Sequence, residues 1–235
     1  MKIRSFFLIL FGSILLLMTT TNCCFNSGIK VASPDHLLNS TVVLVDKISE
    51  EVDAGYYPYC SGVWISPDKF LTAEHCVSAG DGMEAVGRLI RFQTYVGVDV
   101  EVNKLLEEPY WGVVIATDID KDLAIVSAID VVGVHSYSLI SDGVGVGDDV
   151  NIVGHTKGLQ YSYIRGVISA IRFDKAHGVK YLQISSSAYK GNSGGAAFDR
   201  EGRIVGICSM VFTGAPNVTL FIHREMIIKF LEENR

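Results

Sequence analysis

From residue 40 onward the apolar positions come in short bursts. Segments 41–45, 62–65, 69–73, 89–95 and 112–116 are rich in β-branched and aromatic residues, and Gly, Asp, Pro and Ser punctuate them. A second series covers 149–153, 161–171, 180–185, 196–198, 203–211 and 218–222. Many short strands at this spacing predict an all-β sandwich or barrels, not alternating βαβ units. The Gly- and Val-rich stretch 129–146 connects the two series. The tail changes period. Ile222, Met226, Ile227, Phe230 and Leu231 share one helical face, with Arg224, Glu225, Lys229, Glu232 and Glu233 mainly elsewhere. That spacing predicts a closing amphipathic helix over 223–234, packed on the second series.

The first residues follow another pattern. Lys2 and Arg4 precede a 13-residue apolar run, 6–18, and then Thr19, Thr20 and Thr21. A basic start, an apolar stretch and small polar residues form an export signal. The run falls short of the roughly 20 apolar residues of a spanning helix. Cys23 and Cys24 follow at once. A cysteine there fits bacterial lipoprotein processing with the lipid on Cys23, although Thr20-Thr21-Asn22 is a poor version of the usual small-residue box. Lipidation, ordinary cleavage and a retained membrane anchor stay open. Each places the remaining chain outside the cytoplasm: periplasmic, membrane-attached or secreted. Asn39 and Asn217 open glycosylation sequons, which matter only in a eukaryotic host.

Composition narrows the function classes. Of 235 residues, 49% are hydrophobic and 20% charged, enough apolar material for a sizeable core and against disorder. The net charge of −6 argues against nucleic-acid binding, which favours a basic face. His36, His135, His155, His177 and His223 form no pair at metal-ligand spacing, and no CxxC is present. Cys208 lies in an apolar run and reads as a small buried residue. No metal and no cofactor is expected.

Three segments carry chemistry. Hydrolysis by a serine needs an aimed hydroxyl, a neutral imidazole to take its proton and a carboxylate to orient that imidazole. Backbone N–H groups must then receive the oxyanion. Gly191-Asn192-Ser193-Gly194-Gly195 offers a tight turn that aims the Ser193 hydroxyl outward and lets the N–H groups of Gly191 and Ser193 converge. By itself it is also an ordinary Gly-rich hairpin turn. His75 ends an apolar strand where a short helix would begin, and alone it reads as a core histidine. Asp122 opens the apolar strand 123–126. Asp118 and Asp120 compete with it, and Asp122 is preferred because the strand follows it directly.

Together, in the order His75, Asp122, Ser193, these segments resemble the trypsin-like (chymotrypsin-fold) serine protease superfamily over about residues 40–233. The resemblance implies two six-stranded antiparallel β-barrels with a C-terminal α-helix. The first barrel would span about 40–128, the second about 147–222 and the helix 223–234, in one domain of 36–235 behind a signal or anchor of 1–24. It implies the catalytic triad His75, Asp122 and Ser193 and a disulfide between Cys60 and Cys76, whose spacing of 16 and leading strand Cys60-Ser-Gly-Val-Trp-Ile-Ser66 match the family bridge beside its histidine. It also implies a specificity pocket with Ser187 at the floor and Ser209, Met210 and Val211 along the wall. A neutral Ser187 would not select Lys or Arg. Val211 stands where deep-pocket relatives carry glycine, so a shallow apolar pocket favouring Ala or Val is expected. A competing reading has Lys190 attract acidic residues.

Within the superfamily, the form of the Ser193 motif, Ile152-Val-Gly-His-Thr-Lys-Gly158 and Arg165-Gly-Val-Ile-Ser169 resemble the HtrA/Deg-type proteases. There are two departures. Those proteases usually carry a C-terminal PDZ domain, for which this sequence leaves no room, and they commonly lack the cysteine bridge. Chaperone action, peptide-triggered activation and cage assembly are therefore not carried over. Asn192 stands where digestive relatives carry an Asp that pairs with a newly cut N-terminus. A neutral amide forms no such ion pair, so the site is expected to form without propeptide cleavage. The leading reading is an exported serine endopeptidase acting on polypeptides through an acyl-enzyme. The alternative is a catalytically retired binding or adhesion module on the same fold. The sequence is silent on oligomeric state.

Overall fold

The computed structural model describes residues 31–49, 55–78, 85–95, 97, 108–131, 136–157, 159–211, 214, 215 and 217–235. The export segment with Cys23, His135 and the Val211 side chain lie outside the described residues. Strands β1 (Thr41–Lys47), β2 (Tyr56–Trp64), β3 (Lys69–Thr72), β4 (Leu89–Thr94), β5 (Tyr110–Asp118) and β6 (Leu123–Ile129) close a barrel in the order β1-β2-β3-β6-β5-β4. Strands β7 (Asp149–Thr156), β8 (Leu159–Asp174), β9 (Val179–Ser185), β10 (Ala196–Phe198), β11 (Ile204–Val211) and β12 (Thr219–His223) close a second, in the order β10-β11-β12-β9-β8-β7. Every ladder is antiparallel.

Closure explains the solidly apolar strands. In β1, Val42 and Leu44 point into the first barrel with Trp64, Phe70, Phe92, Val114 and Val126. The residues between them, Val43 and Val45, join the layer between the barrels with Leu71, Ile125, Val153 and Phe198. Successive side chains alternate faces, and here both faces are buried. Inside the first barrel, Phe70 meets Trp64 and Phe92 edge-on, with ring centroids 5.4 and 4.9 Å apart. The second barrel is filled by Ile152, Ile168, Leu182, Ile184, Val205, Cys208 and Phe221.

Several strands run a few residues past their expected ends, and three elements near the start and end of the chain differ in more than length. Strand β2 starts at Tyr56, well before residue 62, because a β-bulge between Leu44 and Val45 seats Pro58 in the ladder. A six-residue helix, α1 (Pro34–Asn39), was not foreseen. Ser33 caps it by accepting from the His36 N–H at 3.2 Å, and Pro34 opens it. The closing helix, α2, spans Arg224–Glu233, with His223 as its cap: the imidazole Nδ1 accepts from the Glu225 N–H at 3.1 Å. Ile227 and Phe230 bury the inner face of α2.

Candidate active site

The first half of the site belongs to the first barrel. Strand β3 runs apolar to Thr72, the buried Ala73 follows, and a single 3-10 turn, Glu74–Cys76, carries His75 out to the surface. Cys76, at the end of that turn, is disulfide-bonded to Cys60 on β2. The His75 side chain remains 46% exposed, so the ring is open to an incoming molecule.

Asp122 sits in the tight turn between β5 and β6, at φ +53°, a left-handed conformation that Asp tolerates better than most residues. The turn aims the carboxylate at His75. Both oxygens lie 2.9 Å from His75 Nδ1, and Oδ1 also accepts from the His75 main-chain N–H at 3.0 Å. Asp118 is engaged otherwise, by the Lys121 N–H and ammonium, and Asp120 is exposed. Asp122 is therefore the one of the three acids that meets the imidazole. Its hydrogen bond raises the His75 pKa above the ordinary histidine value, burial opposing. Glu74 shifts upward too, through burial and the nearby Asp122 carboxylate. With Nδ1–H directed at Asp122, Nε2 is left as the basic nitrogen of a neutral ring.

Ser209, which the resemblance placed on the pocket wall, has a further contact that the sequence did not announce: its side chain is buried and its hydroxyl donates to Asp122 Oδ2 at 2.5 Å. Strand β11 thus brings a second-barrel donor to the first-barrel acid. Its neighbour Met210 is exposed, as is Ser187.

The other half is the turn holding Ser193. Gly194 lies at φ +81°, and a Cβ there would sit 2.2 Å from the Ser61 carbonyl oxygen and the Thr72 hydroxyl. Gly191 lies at φ +100°, where a Cβ would meet the His155 carbonyl at 2.4 Å. Only glycine fits either place. The turn is tied down on all sides. Asn192 N–H donates to Tyr189 O, Gly194 N–H to Cys208 O, and Gly195 N–H to Asn192 O. The buried Asn192 amide donates to Thr156 Oγ1 at 2.9 Å and to Tyr189 O at 3.0 Å. Among the described residues, no acceptor engages the N–H of Gly191 or Ser193. The Ser193 carbonyl accepts from the Ser61 N–H at 2.8 Å and lies 3.7 Å from Cys76 Sγ. The Ser193 main chain therefore abuts the turn carrying His75 at the seam between the barrels.

The atoms of Cys60, His75 and Cys76 form the only metal-capable grouping among the described residues, and the disulfide takes both sulfurs. Cys208 is buried in the second barrel, where burial raises its thiol pKa.

Comparison with known proteins supplies the family context. The family described as trypsin-like peptidase domain matches residues 60–207. A protein named probable periplasmic serine endoprotease DegP-like, from Bartonella henselae, is 30% identical over 160 residues, 65% of this chain. The protein of that name from Rhizobium meliloti is 31% identical over 157 residues. The chain spans 28% of the length of each of these relatives. Among solved structures, the HtrA-type protease AlgW with a decapeptide superposes at TM-score 0.67 and 16% identity, covering 86% of this chain and 67% of that one. The active form of the Rv3671c protease from M. tuberculosis superposes at 0.65 and 15% identity, covering 85% and 82%. At such identities these two likenesses speak for the fold alone.

Proposed function

Because the chain belongs to the trypsin-like peptidase family, we propose that it is an exported serine endopeptidase working through His75, Asp122 and Ser193. The observation that carries the reading is the Asp122 carboxylate. It is aimed at His75 Nδ1 and further held by the His75 N–H and the Ser209 hydroxyl. An acid so held fixes the tautomer in which Nε2 is the base.

The reaction then runs in two halves. His75 Nε2 takes the Ser193 hydroxyl proton as Oγ attacks the substrate carbonyl carbon. The oxyanion that forms is received by the N–H groups of Gly191 and Ser193, which are without acceptors among the described residues. Protonated His75 gives its proton to the leaving amine, the C–N bond breaks, and an ester joins the acyl group to Ser193. Water attacks the ester, His75 takes its proton, and the same steps in reverse order free the acid and Ser193. The Asn192 amide, bonded to Thr156 and Tyr189, supports a site that forms without cleavage of a propeptide.

For specificity, Ser187 and Met210 are exposed beside the turn, and Val211 pairs with the buried Thr219 across β11 and β12. This arrangement supports a shallow pocket that accepts Ala or Val before the scissile bond. Lys190 is exposed, and its attraction for acidic residues is screened by salt. The export signal and the periplasmic relatives support action outside the cytoplasm, with Cys23 as the residue to examine for lipid.

The test is a mixed peptide library digested by wild type and by Ser193→Ala, read by mass spectrometry, with fluorophosphonate labelling in parallel. Cleavage and labelling by wild type alone support the triad. A wild type inert in both assays would favour a retired binding module. Cleavage after Ala or Val supports the shallow pocket, cleavage after Asp or Glu supports Lys190, and dominant cleavage after Lys or Arg defeats both.

A further inference from the structure

Ser61, on β2 of the first barrel, is fully buried and meets the Ser193 turn with its N–H and its hydroxyl. Its N–H donates to Ser193 O at 2.8 Å. Its carbonyl oxygen accepts from Thr72 Oγ1 at 2.7 Å, in the crevice where Gly194 leaves no room for a side chain. Its hydroxyl donates to Gly191 O at 2.9 Å. The same oxygen accepts from the His155 main-chain N–H, also at 2.9 Å. A hydroxyl has one proton to give. With the His155 N–H occupying a lone pair, that proton is committed to Gly191.

Gly191 needs such a restraint. At φ +100° it occupies a region open to glycine, and the peptide planes on either side can rotate at small steric cost. One plane is held because Lys190 O accepts from the Lys157 N–H at 3.0 Å. A trans peptide points its N–H opposite its carbonyl, so this bond turns the Gly191 N–H away from Lys157. The other plane, between Gly191 and Asn192, is held at its carbonyl by the Ser61 hydroxyl and at its N–H by Tyr189 O, 3.1 Å away. The His155 ring closes the remaining side: its Cδ2 would stand 2.6 Å from a Cβ at 191, and its Nε2 lies 3.0 Å from Pro58 O on β2.

We propose that Ser61 is a positioning residue for the oxyanion hole: its hydroxyl anchors the Gly191 carbonyl and so fixes the Gly191 Cα, from which the neighbouring Lys190–Gly191 plane, turned by the Lys157 N–H, presents the Gly191 N–H to the reacting carbonyl. The inference rests on the catalytic reading above. Ser61 touches no reacting atom and acts through Gly191. Loss of one oxyanion donor slows an enzyme by about 100- to 1000-fold. Loss of a restraint on that donor should cost less, on the order of 10- to 100-fold.

The experiment compares wild type, Ser61→Ala and Ser40→Ala. Ser40 is also a buried hydroxyl donating to a main-chain carbonyl, that of His36 at 2.7 Å, and it lies at the end of α1 away from the site. A fluorophosphonate probe places its phosphoryl oxygen where the oxyanion would lie and needs no knowledge of the natural substrate. Its limiting inactivation rate and its half-saturating concentration are measured together with the thermal midpoint. Ser61→Ala should lower the limiting rate about 10- to 100-fold with the half-saturating concentration within threefold of wild type. Ser40→Ala should label like wild type at a similar loss of thermal midpoint. Ser61→Cys, which keeps a weaker donor at the same place, should fall between Ser61→Ala and wild type. Labelling of Ser61→Ala at the wild-type rate overturns the inference while leaving the triad intact. A slowed rate that Ser40→Ala reproduces at an equal thermal loss overturns it as well. A wild type that neither labels nor cleaves overturns the catalytic reading, and the inference with it.

Discussion

Opening the Cys60–Cys76 disulfide should separate the stability of this domain from its chemistry. The bridge closes a loop of 16 residues. In the chain-entropy treatment that restraint on the unfolded chain is worth about 3 kcal/mol at 25 °C. For a domain of this size about 1 kcal/mol moves the unfolding midpoint by roughly 2–4 °C, so reduction should lower it by about 6–12 °C. The Cys60→Ala/Cys76→Ala variant also removes two buried sulfurs and should lose somewhat more. The native strands have other anchors. Val63 pairs with Leu71 and Trp64 with Phe70 across β2 and β3, and the His75 N–H is bonded directly to Asp122 at 3.0 Å. The 3-10 turn should therefore keep its shape without the bridge.

The assay is urea unfolding of oxidised protein, reduced protein and the double Ala variant, with fluorophosphonate labelling of each in its folded baseline. We expect a loss of about 3 kcal/mol and labelling within about threefold of the oxidised protein. A loss under about 1 kcal/mol would refute the entropic argument. A 100-fold drop in labelling with the fold intact would refute the claim that Asp122, and not the disulfide, holds His75 in place.

Further outcomes follow from the same contacts. Asp122→Asn should fold normally and lose about 10⁴-fold in turnover, since an amide favours the wrong imidazole tautomer, checked by peptide hydrolysis beside circular dichroism. The base must be neutral, and Asp122 raises the His75 pKa above its ordinary value near 6.5, so activity should rise with pH to a midpoint above 6.5; a rate flat from pH 5 to 8 would exclude His75. The stability contributed by the His75–Asp122 contact has the opposite sense, present in full below about pH 6.5 and lost as the pH rises through the folded value. Burial lowers the pKa of His155 and of His223 to about 4, so each favours the fold in its neutral form and that contribution falls away from about pH 6.5 to pH 4. Together they should cost roughly 4 kcal/mol between pH 7 and pH 5, read by urea unfolding at each pH. Ser209→Ala should reduce turnover about tenfold, since a hydrogen bond to a charged group carries roughly 1.5–3 kcal/mol, while leaving library cleavage preferences unchanged.

What the sequence revealed and what it hid follow from the range of each interaction. The strands were legible because they are short and bounded by turn residues. Their alternation was not, because Val42 to Val45 are buried on both faces, one inside the barrel and one between barrels. Helix α1 carried a local signal in Ser33-Pro34-Asp35, but six residues are too few for an apolar period to emerge. The three chemical segments stood out because glycine is compulsory on either side of Ser193 and because an acid opened an apolar strand. Ser209 had no such marker. Its hydroxyl reaches an acid 87 positions away, and only the meeting of β11 with the β5–β6 turn reveals the contact. Ser61 was hidden for the same reason, its partners at Gly191 and His155 lying 130 and 94 positions downstream.

These long-range bonds explain why the site needs two barrels. The first barrel supplies His75 and Asp122, the second supplies Gly191 and Ser193, so neither holds the complete set of groups that the proposed reaction uses. The two halves are aligned by short polar contacts at the seam: Ser209 to Asp122 in one direction, and Ser61 to Gly191 and Ser193 in the other. An apolar layer of Val43, Val45, Leu71, Ile125, Val153 and Phe198 holds the barrels together and excludes water. Apolar packing is nondirectional and tolerates small slips, whereas catalysis at a carbonyl does not tolerate an error of about 1 Å. The hydroxyls of Ser61 and Ser209 supply the direction that the packing lacks. Substitutions that loosen the apolar layer should therefore lower stability first and turnover second. Substitutions at the two serines should do the reverse.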